Sequence, residues 1–194
     1  NLIDADSILY IICYNKNYDL DGLKNLMETF ISNVNKLSES THYVLFLSTK
    51  SFRHEVSADY KANRIADKPD NFDIMKKYMI DFYNTCTMDN IEADDLCASA
   101  VQWCKKRNID YCVSHIDKDL NQIPGEHLNY AKHIKYHLTD AEANLDLFRS
   151  MFANQIGDNI KICEGIGESA IDKIVKYMPL NLKTIIAIYR DGFA

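Results

Sequence analysis

Three short apolar runs, each breaking into a polar loop, constrain the fold of this chain more than any other feature. Asn1-Leu2-Ile3 runs into Asp4 before Ser7 to Ile12 opens a helix, Tyr43 to Leu47 runs into Ser48-Thr49-Lys50, and Ile109 to Ser114 runs into His115-Ile116-Asp117-Lys118-Asp119. Short apolar runs bounded by polar turns read as buried strands. Between them lie helical stretches, one around Leu23 to Leu37 and one from Asp94 to Arg107. Strands alternating with helices predict an α/β fold, a mainly parallel central sheet flanked by helices on both faces. At 194 residues the chain has room for one compact domain, or for one domain with a small appendage. No run approaches the roughly 20 apolar residues that span a bilayer, so no membrane is expected as a partner.

The stretch from Ser51 to about Asn84 breaks the alternation. It carries Arg53, His54, Lys61, Arg64, Lys68, Lys76 and Lys77, has Pro69 near its middle and shows no strand pattern, so it reads as a long basic excursion from the sheet. Excursions of that length are usually functional or mobile. After Asp140, Leu145 to Phe152 reads as helical, and Gly157, Gly165 and Gly167 punctuate short segments before a helix from Ser169 to Tyr177. The expected organisation is therefore a core over residues 1–150, with the excursion at about 51–84, and a helix, glycine-bearing turn and second helix over 151–194. Six cysteines, Cys13, Cys86, Cys97, Cys104, Cys112 and Cys163, form no C-x-x-C pair, which suits reduced thiols in a cytoplasmic protein. Residue 1 is Asn rather than Met, so the chain is expected to be trimmed at its start, and its end is open to the same reading.

In an open α/β sheet, ligands bind beyond the carboxyl ends of the strands, where acids from distant parts of the sequence converge. Asp4 and Asp6 follow the first strand, Glu92, Asp94 and Asp95 open a helix, Asp117 and Asp119 follow the third strand, and Asp158 comes later. Any one of these singly is as well explained as a helix cap or a first-turn acid. Together in one pocket they would repel one another unless cations neutralised them. An all-oxygen set suits Mg²⁺ or Mn²⁺, and two such ions would serve phosphodiester cleavage.

The motifs that carry this chemistry resemble a known family. Phe52-Arg53-His54-Glu55, Tyr60-Lys61-Ala62-Asn63-Arg64, Ile91-Glu92-Ala93-Asp94-Asp95, Asp117-Lys118-Asp119-Leu120, Asp158-Asn159-Ile160 and Glu164-Gly165-Ile166-Gly167 follow the order of the 5'-3' exonuclease and flap endonuclease family. The likeness covers about Asn1 to Lys176 and looks most like a phage-encoded, stand-alone member, which would place it in the host cytoplasm. It implies a PIN-like nuclease fold with a helical arch and a C-terminal helix-hairpin-helix element. It further implies that Asp4, Glu92, Asp94, Asp95, Asp117, Asp119 and Asp158 are metal-site ligands, directly or through water, for two Mg²⁺ or Mn²⁺ ions. Lys61 and Arg64 match the catalytic basic residues at the base of the arch. Arg53, Tyr60 and Lys50 are expected to bind DNA beside them. Gly165 and Gly167 match the hairpin turn that grips duplex DNA and holds a K⁺ ion. The implied substrates are DNA with a 5' flap, a nick or an RNA primer, with a replicative polymerase as partner and a monomer as the working state.

The departures from the pattern are specific. Ser48 stands where the family has an aspartate after its second strand, and Gln155 replaces the first aspartate of the G-D-x-x-D-N motif, so a ligand or a charge is missing at each. They keep a second reading open, a noncatalytic, structure-specific DNA-binding protein without a full second metal site. A small RNase of the related PIN type shares the acids but accounts for neither the basic excursion nor the Gly165-Ile166-Gly167 turn. The net charge of −6 excludes a uniformly basic nucleic-acid binder, so basic residues must cluster if DNA is the ligand.

Overall fold

The computed structural model describes residues 1–64, 67–153, 158–160, 168–177, 183, 186, 187 and 190. Gln155, Gly157, Gly165 and Gly167, and with them the expected hairpin turn and its K⁺ ion, lie outside the described residues. Six strands form one sheet: β1 (Leu2–Asp4), β2 (Val44–Phe46), β3 (Thr85–Cys86), β4 (Cys112–His115), β5 (Gly125–Asn129) and β6 (Ile134–Leu138). Their order across the sheet is β3-β2-β1-β4-β5-β6, parallel throughout except for the antiparallel β5–β6 hairpin at one edge. The expected mainly parallel α/β sheet is thus present.

Alternation along the short strands sorts side chains to two faces. Ile3 and Leu45 point into a core with Ile8, Leu9 and Ile12 of α1 (Asp6–Cys13), with α2 (Leu20–Leu37), and with Met75 and Met79 of α4 (Phe72–Phe82). Leu2, Phe46 and Val113 meet Leu96, Cys97 and Val101 of α5 (Ala93–Lys106) on the other face. In α2 the buried residues Leu23, Met27, Ile31 and Val34 recur on one helical stripe, and burial of each stabilises the fold by about 1.5–3 kcal/mol.

Several boundaries differ from those read in the sequence, each for a local reason. The helix expected from Leu145 begins instead at Asp140, as α6 (Asp140–Phe152). Thr139 accepts from the Glu142 backbone N–H while the Glu142 carboxylate accepts from the Thr139 N–H, a reciprocal cap that fixes the start. The helix α7 (Glu168–Tyr177) sets Ile171 and Ile174 against Phe152 of α6. Among the described residues of the excursion, α3 (Arg53–Val56) and α4 are helical. The five described cysteines are free, and among the described residues no helix is long and apolar enough to cross a membrane.

Candidate active site

The carboxyl ends of β1, β2 and β4 open into a cleft of about 700 Å³. Asp4, Asp6, Glu92, Asp94, Asp117, Asp119 and Asp158 line it, and so do Lys50, Lys61, Arg64, Lys68 and Lys76. A larger hollow of about 930 Å³ lies around Asn1, Val44 and Trp103 at the opposite end of the strands, and it gathers no comparable set of acids.

Local structure explains how each acid arrives. Asp4 ends β1 and accepts a hydrogen bond from the Asp6 N–H, while the Asp6 carboxylate accepts from the Ser48 N–H at 3.0 Å, tying the start of α1 to the loop after β2. Asp117 caps a short 3₁₀ turn (Lys118–Gln122) by accepting from the Asp119 N–H at 2.9 Å. Behind that turn the buried His115 and His127 rings hydrogen-bond at 2.9 Å, and Nδ1 of His115 reaches the Asp117 carbonyl. Glu92 holds the N-cap position of α5 yet makes no cap bond with its side chain. Ser48 does so in its place, its Oγ accepting from the Ala93 N–H at 2.9 Å.

That exchange releases Glu92 for a different task. Its Oε1 takes the Lys61 ammonium at 2.5 Å, and its Oε2 takes the Tyr60 hydroxyl and an Arg53 N–H, each at 2.8 Å. Arg53 also forks onto Asp95 at 2.7 and 2.9 Å, a charge-assisted bidentate pair. Burial lowers the Lys61 pKa, but the hydrogen bonds the ammonium donates to Glu92 and Tyr60 more than offset it, so it stays charged. Tyr60, 3% exposed, has its phenol pushed up to about 12 by burial. Arg64 pairs with Asp158 at 2.8 Å, the Lys61 N–H donates to the Asp158 carbonyl, and Asn159 donates to the Asp59 carbonyl. The 59–64 turn is thus clamped between α5 and the Asp158–Asn159 segment.

Of the residues singled out in the sequence, Asp4, Glu92, Asp94, Asp117, Asp119, Asp158, Lys61, Arg64 and Lys50 share the cleft. Arg53, Tyr60 and Asp95 stand behind it, engaged with Glu92 or with one another. Lys76 and Lys68 also face the cleft and carried no role in the sequence reading, as did Tyr10 and Phe72, whose rings lie 4.8 Å apart on its wall. The only signal for Lys76 is its place beside Met75 on the buried stripe of α4, where a lysine stem packs and its head emerges.

The donor set fits hard divalent cations. Carboxylate oxygens of Glu92, Asp94 and Asp95 lie within 4.8 Å of one another, and all are oxygen ligands. Crowding shows in the titration: Asp4 is pushed up to about 7, first by burial, then by Asp6, with Asp117 and Asp94 adding to it. Asp94 and Asp119 are raised too, burial first and a neighbouring aspartate second. A cation among these groups would relieve their repulsion.

Folded Asp4 keeps a proton that the unfolded chain has released above its value of 3.8, so its contribution to stability falls as pH rises from about 4 to 7. Without metal, Asp4→Asn should therefore stabilise the protein at pH 8, by up to about 4 kcal/mol, and the gap should close near pH 4. His115, held near 4 by burial, has the opposite slope but is common to both proteins and cancels. Calorimetry of the pair in EDTA from pH 4 to 8 checks this, and a gap that does not widen with pH contradicts it.

The family model for the 5'-3' exonuclease N-terminal resolvase-like domain matches residues 1–157. No curated protein matches in sequence. Among solved structures, the bacteriophage T5 flap endonuclease in a pseudo-enzyme-product complex with DNA and metal ions aligns with a TM-score of 0.74 at 16% identity, over 98% of this chain and 83% of that one. The bacteriophage T5 5'-exonuclease with bound zinc gives 0.70 at 18% identity, over the same 98% and 83%. The catalytic core of Rad2 in complex with DNA substrate gives 0.58 at 18%, over 98% of this chain and 64% of that one. At these identities the likeness is one of fold.

Proposed function

This chain belongs to the 5'-3' exonuclease family, and from that premise we propose that it is a divalent-metal-dependent 5'-3' exonuclease and structure-specific flap endonuclease, hydrolysing phosphodiester bonds near DNA 5' ends. One observation carries the reading: a single cleft at the strand ends joins six candidate ligand carboxylates, Asp4, Glu92, Asp94, Asp117, Asp119 and Asp158, with Lys61 and Arg64. Those carboxylates would hold the metal. Mg²⁺ or Mn²⁺, two ions in this reading, supplies the Lewis acidity that activates water and offsets charge on the phosphate. Lys61 and Arg64, protonated and held in place by Glu92 and Asp158, offer fixed positive charge to the non-bridging oxygens where negative charge develops. Lys50 and the glycine turn at Gly165 and Gly167 would contact the DNA backbone without reading sequence. Removal of RNA primers beside a replicative polymerase, by a cytoplasmic monomer with a core over 1–150 and a DNA-gripping region over 151–194, completes the proposal.

A noncatalytic DNA-binding role is favoured by two features. The Ser48 hydroxyl already caps α5, and both Asp95 oxygens already accept from Arg53, so Ser48 brings no charge to a cation and Asp95 is shared with a guanidinium. The two readings separate on a 5'-labelled flap duplex and a matching RNA-primed duplex incubated with Mg²⁺, Mn²⁺ or EDTA at low salt. Metal-dependent products released from the 5' side are the expected result. Binding without products in any metal would leave only the noncatalytic role.

A further inference from the structure

The cations of the cleft are not equivalent. Lys61, Arg64 and Lys68 each pair with a carboxylate, and among the described residues two cations of the lining make no ion pair, the exposed Lys50 and the less accessible Lys76. Its Nζ donates to the Ser48 carbonyl at 2.5 Å. An ammonium carries three donors, so two remain for the cleft it lines. It is half-buried, and taking an ammonium out of water is costly unless an anion or several acceptors compensate it.

The position is also fixed. Ser48 donates its N–H to Asp6, accepts the Ala93 N–H on its hydroxyl and accepts Lys76 on its carbonyl, so α1, α4 and α5 meet at one residue. The stem of Lys76 leaves α4 between the buried Met75 and Met79. A neutral serine with a preset ammonium beside it makes this wall of the cleft suited to an anion rather than a cation.

We propose that Lys76 is a phosphate-binding residue, which takes a phosphoryl oxygen of the substrate strand on the β2–α4 side of the cleft, separately from Lys61 and Arg64. The inference rests on the reading of the protein as a nuclease acting at DNA 5' ends. A phosphoryl oxygen matches the requirement because N⁺–H···O⁻ bonds are short and strong and need no base identity. Its source is either the terminal 5'-phosphate or an internal diester.

The test is anisotropy of a labelled flap duplex in EDTA, with a 5'-phosphate or a 5'-hydroxyl, against wild type, Lys76→Ala, Lys76→Met, Lys76→Arg and Lys61→Ala over a salt series. Lys76→Met keeps the apolar stem and guards against a packing loss. Loss of the charge should weaken binding about fivefold or more and reduce the slope of log affinity against log salt by about one, and Lys76→Arg should restore both. A purely structural role would lower the melting temperature without changing the slope. A terminal phosphate is the source if the substitutions erase a preference for the phosphorylated flap, an internal diester if both flaps weaken alike. Unchanged affinity and slope in Lys76→Met, with binding weakened in Lys61→Ala, overturns this inference alone. If wild type shows no salt-dependent binding, the nuclease reading fails with it.

Discussion

Glu92→Gln is expected to destabilise the metal-free protein by about 3 kcal/mol, more than any other single acid replacement in the cleft. Glu92 is 7% exposed, and its carboxylate neutralises two cations at once, Lys61 on one oxygen and Arg53 on the other, with the Tyr60 hydroxyl as third partner. Removing one partner of a buried charge network costs about 3–5 kcal/mol because the other charges stay behind. The lower end applies here, since Arg53 keeps its fork on Asp95 while Lys61 loses its only carboxylate among the described residues. A glutamine can still accept one hydrogen bond but must present an amide to the other donors. In a chain of this size that loss lowers the melting temperature by roughly 6–12 °C. A fall of under about 2 °C in EDTA would mean that the cations find other partners and that Glu92 does not anchor the 59–64 turn. Metal-dependent cleavage should fall as well, by about 10³-fold or more, since a ligand and the anchor of Lys61 are lost together.

The part of this arrangement that was legible in the sequence is the part set by local rules. Asp4 and Asp117 were readable because each ends an apolar run, and in a parallel sheet all such ends fall on the same side. Glu92, Asp94 and Asp95 were readable as a helix start. The β5–β6 hairpin was not, because its first strand, Gly125–Asn129, carries His127 and Leu128 where a clear period-two pattern would be needed. His127 is buried there with both ring nitrogens satisfied, by His115 from β4 and by the Ile123 carbonyl. The α6 start was legible in principle, as Thr139 and Glu142 stand at capping-box spacing. The division of labour among the basic residues was not. Arg53 reads like a DNA contact from its position in the basic excursion, yet it sits on Asp95, 42 residues away. Ser48 reads as a missing ligand, while its role as helix cap and as anchor for Lys76 depends on contacts 45 and 28 residues distant. Spacing along a chain cannot show which of two acids a long cationic side chain will choose, because that choice is made by the packing of three separate elements.

Asp117→Asn should separate catalysis from stability where Glu92→Gln joins them. Asp117 is exposed, and its carboxylate accepts from the Asp119 N–H, which an asparagine carbonyl oxygen can do equally well. Its charge has no cationic partner among the described residues, and it contributes to the raised pKa of both Asp4 and Asp119. Neutralising it removes repulsion, so the metal-free melting temperature should stay level or rise, with the larger gain near pH 8, above the value of about 7 to which Asp4 is raised. Cleavage of the flap duplex in Mg²⁺ should nonetheless drop by about 10³-fold or more, because a carboxylate at the strand end is needed to hold the cation that takes up the phosphate charge. The stabilisation that Mg²⁺ confers on the wild type, measured as the shift in melting temperature with metal concentration, should shrink in parallel. Cleavage within tenfold of wild type would remove Asp117 from the metal site. A melting loss as large as that of Glu92→Gln would show instead that the acids on this side of the cleft hold the fold together, and that their mutual repulsion is not what the cation relieves.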